Sequence, residues 1–208
     1  MSFRLLPALL TFALALTGCS QSPVRSTDNP AFVKAYQARF TQLRGVSNWT
    51  LQGRLAISDG KDGGSGNLSW SQNSLETLMS FRGTLGKGAW QLKADQNGAR
   101  LELADGSIHR APTVAELVLK QVGWKVPVDA LAWWVKGLIQ PGDWDVRELD
   151  ELGRVRRLGQ SGWDVEIGSY VHAQEYWLPG KLTARQGKYL VKLAVRNWRL
   201  PGEGPGLD

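Results

Sequence analysis

Cysteine is almost absent from this chain: Cys19 is the single cysteine among 208 residues. A lone cysteine excludes an internal disulfide and a zinc site built from several thiolates. The only two histidines, His109 and His172, lie in unrelated stretches and lack the close spacing of metal-binding motifs. The motifs Gly-x-Ser-x-Gly, His-Glu-x-x-His and the P-loop are missing as well. We therefore expect a protein that is not an enzyme and that holds no metal and no cofactor.

Long hydrophobic runs are also missing. The longest apolar run, Leu5 to Leu16, is too short to cross the hydrocarbon core of a bilayer, which is about 30 Å thick. Because Arg4 precedes this run, residues 1–18 are predicted to be a signal peptide.

The signal peptide ends in Leu16-Thr17-Gly18-Cys19, which resembles the lipobox of bacterial lipoproteins. That resemblance implies that Cys19 is lipidated and becomes the acylated N-terminus. Ser20 stands where an aspartate would resemble the retention signal of inner-membrane lipoproteins. We therefore expect a lipid-anchored protein of the cell outer membrane that faces the periplasm. Residues 19–28 are predicted to be the acylated N-terminus and its polar tether.

The charge of the chain is only mildly positive, with a formal net charge of +6. Its basic residues are spread too widely to indicate a nucleic-acid site, and a periplasmic location also argues against one. The modest excess fits a surface near anionic lipid or near an acidic protein partner.

Residues 29–200 are predicted to form one mainly β domain, followed by a loose tail over 201–208. Asn29-Pro30 begins a helix with an aromatic face. From Trp49 onwards the apolar residues alternate with polar ones, which is typical of an antiparallel meander forming a sandwich or a barrel. Two helical stretches, opened by Thr113 and by Val128, interrupt the strands.

Tryptophan is abundant, with ten residues, and several of them lie on the apolar faces of predicted strands. Each single tryptophan is best interpreted as ordinary core. Together they indicate a cavity with wide apolar walls, which suits acyl chains because these need dispersion contacts and exclusion of water. The two interrupting helices would cover such a cavity.

The stretch Phe81 to Trp90 is predicted to be a β-hairpin, because period-two patterns flank a glycine-rich turn. Its turn contains Leu85 where polar residues are usual. Leu85 either folds back onto the sheet or forms an apolar finger for a membrane or a lipidated client.

An ordered series of motifs resembles the LolB family, outer-membrane lipoproteins that accept other lipoproteins from a periplasmic carrier. The resemblance covers nearly the whole chain after the signal peptide. Its motifs are Gly-Arg-Leu-Ala-Ile (53–57), Gly-Asn-Leu-Ser-Trp (66–70), Leu-Gly-Lys-Gly-Ala-Trp (85–90), Trp-Val-Lys-Gly-Leu (134–138), the 149–154 stretch, Gln-Ser-Gly-Trp (160–163) and Asn-Trp (197–198).

The resemblance implies an incomplete antiparallel β-barrel of about 11 strands, with helices covering a hydrophobic cavity, as in the carrier LolA. It implies a monomer that takes client lipoproteins from LolA by their acyl chains and inserts them into the inner leaflet of the outer membrane. The family's protruding loop falls on Thr84, Leu85 and Gly86, and Thr84 stands where a proline is common. The family's cavity tryptophans fall on Trp70, Trp134, Trp163 and Trp198.

Two other functions stay open at this point. The chain could be an outer-membrane-anchored structural or assembly-adaptor lipoprotein that binds a protein partner through its tryptophans. A lipid hydrolase is a third alternative, which the missing catalytic motifs disfavour. It stays open because a catalytic triad assembled from distant parts of a chain leaves no local motif.

Overall fold

The computed structural model describes residues 29–84, 88–122, 127–144 and 146–200, which contain three helices and eleven strands. The helices are α1 (Pro30–Arg44), α2 (Val114–Val122) and α3 (Val128–Trp134). The strands before α2 are β1 (Trp49–Ser58), β2 (Gly63–Gln72), β3 (Glu76–Gly83), β4 (Trp90–Asp95), β5 (Gly98–Leu103) and β6 (Ile108–Ala111). Those after α3 are β7 (Val146–Leu149), β8 (Val155–Gln160), β9 (Trp163–Ala173), β10 (Tyr176–Gln186) and β11 (Tyr189–Arg199).

All eleven strands belong to one antiparallel sheet in the order β6-β5-β4-β3-β2-β1-β11-β10-β9-β8-β7. Nearly every neighbour in the sheet is also a neighbour in sequence, and the exception is the pair β1 and β11. The two edge strands, β6 and β7, do not pair with each other, so the sheet curls without closing. The expected mainly β, unclosed antiparallel architecture is confirmed.

A β-bulge sets which face of β11 is buried. Gln52 pairs with Asn197 and Gly53 pairs with Val195, so Arg196 is the extra residue. The bulge explains why Trp198 departs from the alternation of Val191 and Leu193 and is nevertheless buried.

The first helix begins as its sequence predicts. The Asn29 side chain accepts a hydrogen bond from the Ala31 N–H at 3.0 Å, and Pro30 occupies the first turn. Helix α1 buries Tyr36 and Leu43 from its aromatic face against the main core. Gly153, in the β7–β8 turn, fits directly against the α1 backbone, because a Cβ there would overlap the Tyr36 backbone nitrogen.

Strand β10 carries no clear sequence pattern of its own, because Pro179 and Gly180 interrupt it. The register between β9 and β10 shifts around Lys181, directly after these two residues. Leu178, Leu182 and other residues of β10 are nevertheless buried in the main core.

Within the described residues, no helix has both the length and the apolar character needed to cross a membrane.

Candidate functional site

An apolar cavity of about 300 Å³ lies between the sheet and the two inserted helices. Seven strands contribute to its wall. Their lining residues are Leu55, Ile57, Leu68, Trp70, Met79, Trp90, Leu92, Leu101, Leu103, Leu182, Val191 and Leu193.

The helices close the cavity with one face each. Val114, Val118 and Gln121 recur along α2 at the spacing of a single helical face. Val128 and Leu131 of α3, followed by Val135, form the facing wall. The predicted covering of a cavity by these two helices is confirmed.

The cavity lies at the boundary between two separate apolar clusters. The larger cluster joins α1, α3 and most of the strands, and the smaller one joins α2 to β4, β5 and β6. Met79 and Trp90 pack against both clusters, and both residues line the cavity. The space therefore separates α2 and its strands from the rest of the core.

The chemistry of the lining is almost wholly hydrocarbon. Among the described residues, Gln121 is the one lining residue whose side chain carries an amide, and none carries a charge. The described part of the chain contains no cluster of three or more His, Cys, Asp and Glu side chains that could hold a metal ion. His109 lies on β6 and His172 on β9, and neither lines the cavity. Such a site can hold an apolar chain by dispersion and exclusion of water.

The resemblance to the LolB family implies four cavity tryptophans. Trp70 is the one of these four that lines this cavity. It is 3% exposed, and its ring packs edge-on against Trp49 with 5.0 Å between centroids. Trp49 in turn packs edge-on against Trp198 at 5.6 Å. The three indoles form one aromatic cluster, of which Trp70 lines the cavity.

Trp134, Trp163 and Trp198 are buried but lie outside the cavity lining. The Nε1 of Trp134 donates to the Oε1 of Gln160, and the Nε1 of Trp198 donates to the carbonyl oxygen of Pro179 at 3.1 Å. Trp163 belongs to the main core at the start of β9. Thus the structure does not bring the four tryptophans together at one surface, and an acyl-binding role for these three stays a prediction.

Trp133 explains how α3 is held in place. Sequence alone puts it on the polar side of its helix, together with Asp129 and Lys136. In the structure it stacks on Phe40 of α1, with 5.9 Å between centroids and 9° between ring planes. The Nζ of Lys136 lies 5.2 Å from the centre of the Trp133 ring. The aromatic stack joins α3 to α1 while the opposite face of α3 lines the cavity.

Two buried cations complete this attachment. The Nζ of Lys136 donates to the carbonyl oxygens of Leu43 and Val46 at the end of α1. Arg39 donates from Nη2 to the carbonyl oxygens of Lys136 and Trp177. Burial lowers the pKa of both Lys136 and Arg39 below their ordinary values, because desolvation penalises the charged forms.

The structure describes the predicted hairpin of residues 81–90 up to Thr84, at the start of its turn. Thr84 follows β3, is exposed, and donates from Oγ1 to the carbonyl oxygen of Ser65 at 3.1 Å. Leu85 and Gly86 lie outside the described residues. Cys19, the signal peptide, the tether and the tail lie outside them too.

Several lining residues are not singled out by the sequence. Trp90, Met79 and Leu131 are examples, although each lies on the apolar face of a predicted element. Period-two and helical patterns could identify these faces. They could not show which buried positions border an empty space, because that depends on how α2 and α3 are placed over the sheet.

Comparison with known proteins identifies the family. A family model described as outer membrane lipoprotein LolB matches residues 47–198. The outer-membrane lipoprotein LolB of Pseudomonas fluorescens (strain Pf0-1) is 35% identical over 195 residues, covering 92% of this chain and 94% of that protein. This chain belongs to the LolB family.

A second relative supports the same family. The outer-membrane lipoprotein LolB of Pseudomonas putida KT2440 is 33% identical over 196 residues, covering 91% of this chain and 94% of that protein. Among solved structures, a DUF1329 family protein from Desulfovibrio piger has a TM-score of 0.51 at 7% identity and covers 84% of this chain and 95% of that one. At that identity the structural likeness concerns the fold alone.

Proposed function

We propose that this LolB family member accepts lipoproteins by their acyl chains from the periplasmic carrier LolA and inserts them into the outer membrane. The observation that carries the proposal is the apolar cavity under α2 and α3, with a hydrocarbon lining built from seven strands and two helices. Membership of the LolB family, whose members accept other lipoproteins from a periplasmic carrier, supplies the class of client.

The cavity walls favour acyl chains over polar ligands. A polar ligand that entered would lose its hydration and find, among the described lining residues, one side-chain amide and the indole N–H groups of Trp70 and Trp90, which costs free energy. An acyl chain needs no hydrogen bonds there. Transfer from the carrier therefore requires only that this cavity hold the chains more favourably than the carrier does, and a gap of about 1.4 kcal/mol shifts the exchange tenfold. The step forms and breaks no covalent bond and consumes no nucleotide, so the protein acts without being an enzyme.

Delivery to the membrane is assigned to the hairpin tip and the anchor. Residues 1–18 act as the signal peptide, Cys19 carries the acyl chains, and residues 20–28 tether the domain to the outer membrane. Nine flexible residues reach roughly 15–18 Å, so the domain stays next to the lipid surface. Thr84, Leu85 and Gly86 form the loop that enters the inner leaflet as a client leaves the cavity.

Native mass spectrometry after mixing the protein with lipoprotein-loaded LolA tests the function. Uptake of the intact client by this protein is expected. Docking of LolA without uptake would instead indicate an adaptor, and a client of reduced mass would indicate a hydrolase. Either of these outcomes contradicts the proposal.

A further inference from the structure

One row of side chains crosses five strands on the face of the sheet opposite the cavity. Residues in direct register on neighbouring strands lie on the same face. From β10 to β3 the row consists of Lys181, Ala194, Arg54, Asn67 and Arg82. All five are exposed, whereas their sequence neighbours Leu68, Leu182 and Leu193 line the cavity. The row therefore runs along the outer face, and it spans about 19 Å because adjacent strands lie 4.7–4.9 Å apart.

Positive charge is concentrated along this row. Three of its members are cations and the other two are neutral. Lys192 and Arg196 lie two residues before and after Ala194 on β11, and both are exposed as well. The Nη2 of Arg196 donates to the Oδ1 of Asn67 at 2.9 Å, so this guanidinium reaches across β1 to the middle of the row. We call these five cations the outer cationic patch: Arg54, Arg82, Lys181, Lys192 and Arg196.

The outer cationic patch lacks internal neutralisation. Among the described residues, none of its five cations forms an ion pair with a carboxylate. Carboxylates farther along the sheet are paired with other arginines, in Arg100–Glu102, Arg157–Asp164 and Arg185–Glu166. Because like charges on one surface repel one another and attract anions, the patch is suited to a ligand that carries negative charge.

The row ends at the base of the hairpin whose tip is proposed to enter the bilayer. Arg82 is the third residue before Leu85, so the chain allows at most about 10 Å between their Cα atoms. The polar head-group region on each side of the hydrocarbon core is about 5–7 Å thick. When Leu85 reaches the acyl chains, Arg82 is therefore at about the level of the lipid phosphates.

A depression of about 470 Å³ beside the row offers space for a head group. Asn67, Arg82 and Arg196 all contribute to its lining. Glu102 lines it too, but its carboxylate is paired with Arg100 at 2.7 Å. Guanidinium groups bind phosphate through two parallel hydrogen bonds, which makes arginine well suited to a phosphate ester.

We propose that the outer cationic patch binds the phosphate groups of anionic phospholipids in the inner leaflet of the outer membrane. Binding there holds the domain with its hairpin against the bilayer while a client leaves the cavity. This inference rests on the proposed function, because it takes the hairpin tip to be the part that enters the membrane. A lipid surface is favoured over an acidic protein because the row leads directly into that hairpin.

Vesicle binding tests the patch. An acylated Cys19 would hold the protein on any membrane, so the parent protein for this test is the mature chain, residues 19–208, with Cys19→Ser. Sedimentation compares vesicles of phosphatidylcholine alone with vesicles that also contain about 30% phosphatidylglycerol, and the parent is expected to bind the anionic vesicles at least about tenfold more tightly. High salt should remove this preference, since it screens exposed charges.

Two double variants of this parent remove equal charge from different places. Arg54→Gln with Arg82→Gln should reduce binding to the anionic vesicles at least about fivefold. Arg157→Gln with Arg185→Gln is the matched control, because both arginines are exposed on the sheet and paired with carboxylates outside the patch, and it should bind nearly like the parent. Both variants should take client from loaded LolA as the parent does and keep its midpoint of urea unfolding.

The possible failures are distinguishable. If the parent does not prefer anionic vesicles, or if the Arg54 and Arg82 variant binds them like the control, the lipid assignment is wrong and the acceptor function stands. If that variant keeps the urea midpoint of the parent but loses uptake from LolA, the patch contacts the carrier protein, which also overturns the lipid assignment. Absence of uptake by the parent itself would contradict the acceptor function, and it is measured separately from vesicle binding.

Discussion

The Nε1 of Trp134 donates a hydrogen bond to the Oε1 of Gln160 across 3.0 Å, and the two side chains are only 1% and 2% exposed. The same Gln160 amide accepts from the Gln140 N–H and donates to the carbonyl oxygens of Gln140 and Asp143. The polar edge of Trp134, which lies outside the cavity lining, is thus hydrogen-bonded to β8. This network fixes the segment after α3 to the sheet.

Replacing Gln160 should show how much this network contributes to the stability of the fold. Gln160→Leu leaves the Trp134 N–H and three backbone groups without their partner, so we expect the free energy of unfolding to fall by about 2–4 kcal/mol. Urea unfolding followed by tryptophan fluorescence measures it. Gln91→Leu, on an exposed position of β4, is the control and should change stability by less than about 0.5 kcal/mol. Equal stability of the two variants would show that the network is not stabilising.

The attachment of α1 to the β7–β8 turn gives a second stability test. At Gly153 the backbone has φ +69° and a Cβ would overlap the Tyr36 nitrogen, whereas Gly106 has φ +83° with open space around it. Both Gly→Ala changes incur the cost of a positive φ, but only Gly153→Ala also pushes α1 away. We expect Gly153→Ala to lower the free energy of unfolding by at least about 2 kcal/mol more than Gly106→Ala. A difference near zero would mean that α1 does not pack on this turn.

Much of this architecture could be predicted from the sequence, because it depends on local patterns. Asn29-Pro30 signals the start of α1, and the lost alternation at Trp198 signals the bulge that the structure places at Arg196. Strand β10 could not be found in this way, since Pro179 and Gly180 mask a strand that long-range pairing with β9 and β11 creates.

The site was less accessible to sequence reasoning than the fold. A strand pattern tells which side chains are buried, but Trp70 and Trp163 look alike in that respect. Trp70 borders the cavity under the inserted helices and Trp163 does not, and this difference is a consequence of tertiary packing.

Brominated acyl chains can show which tryptophans contact the ligand, because bromine quenches indole fluorescence on contact. Trp70 and Trp90 line the cavity, so Trp70→Phe and Trp90→Phe should each reduce the quenching caused by a lipopeptide with brominated chains. Trp163→Phe should leave the quenched component unchanged, since Trp163 lies outside the lining. The opposite pattern, with the loss confined to Trp163→Phe, would move the acyl site away from this cavity.

The hairpin tip should act after uptake. Leu85→Glu places a charge in the loop that is proposed to enter the bilayer, so we expect normal uptake of clients from LolA but little insertion into liposomes. Leu75→Glu is a matched control, because Leu75 is 81% exposed in the turn at the opposite end of β3. Sedimentation of the client with liposomes measures delivery. Normal delivery by Leu85→Glu, or equal loss in both variants, would contradict a specific role for the tip.

The central claim is that acyl chains of client lipoproteins occupy the cavity under α2 and α3. Val118 and Leu119 are adjacent on α2, but Val118 lines the cavity whereas Leu119 is exposed outside it. The decisive measurement is the amount of client taken from loaded LolA, determined by native mass spectrometry, for Val118→Trp and Leu119→Trp. An indole at position 118 fills part of the 300 Å³ space, so uptake should fall at least about tenfold, the equivalent of 1.4 kcal/mol, while Leu119→Trp takes up clients like wild type. Equal uptake by two folded variants would show that the acyl chains bind elsewhere.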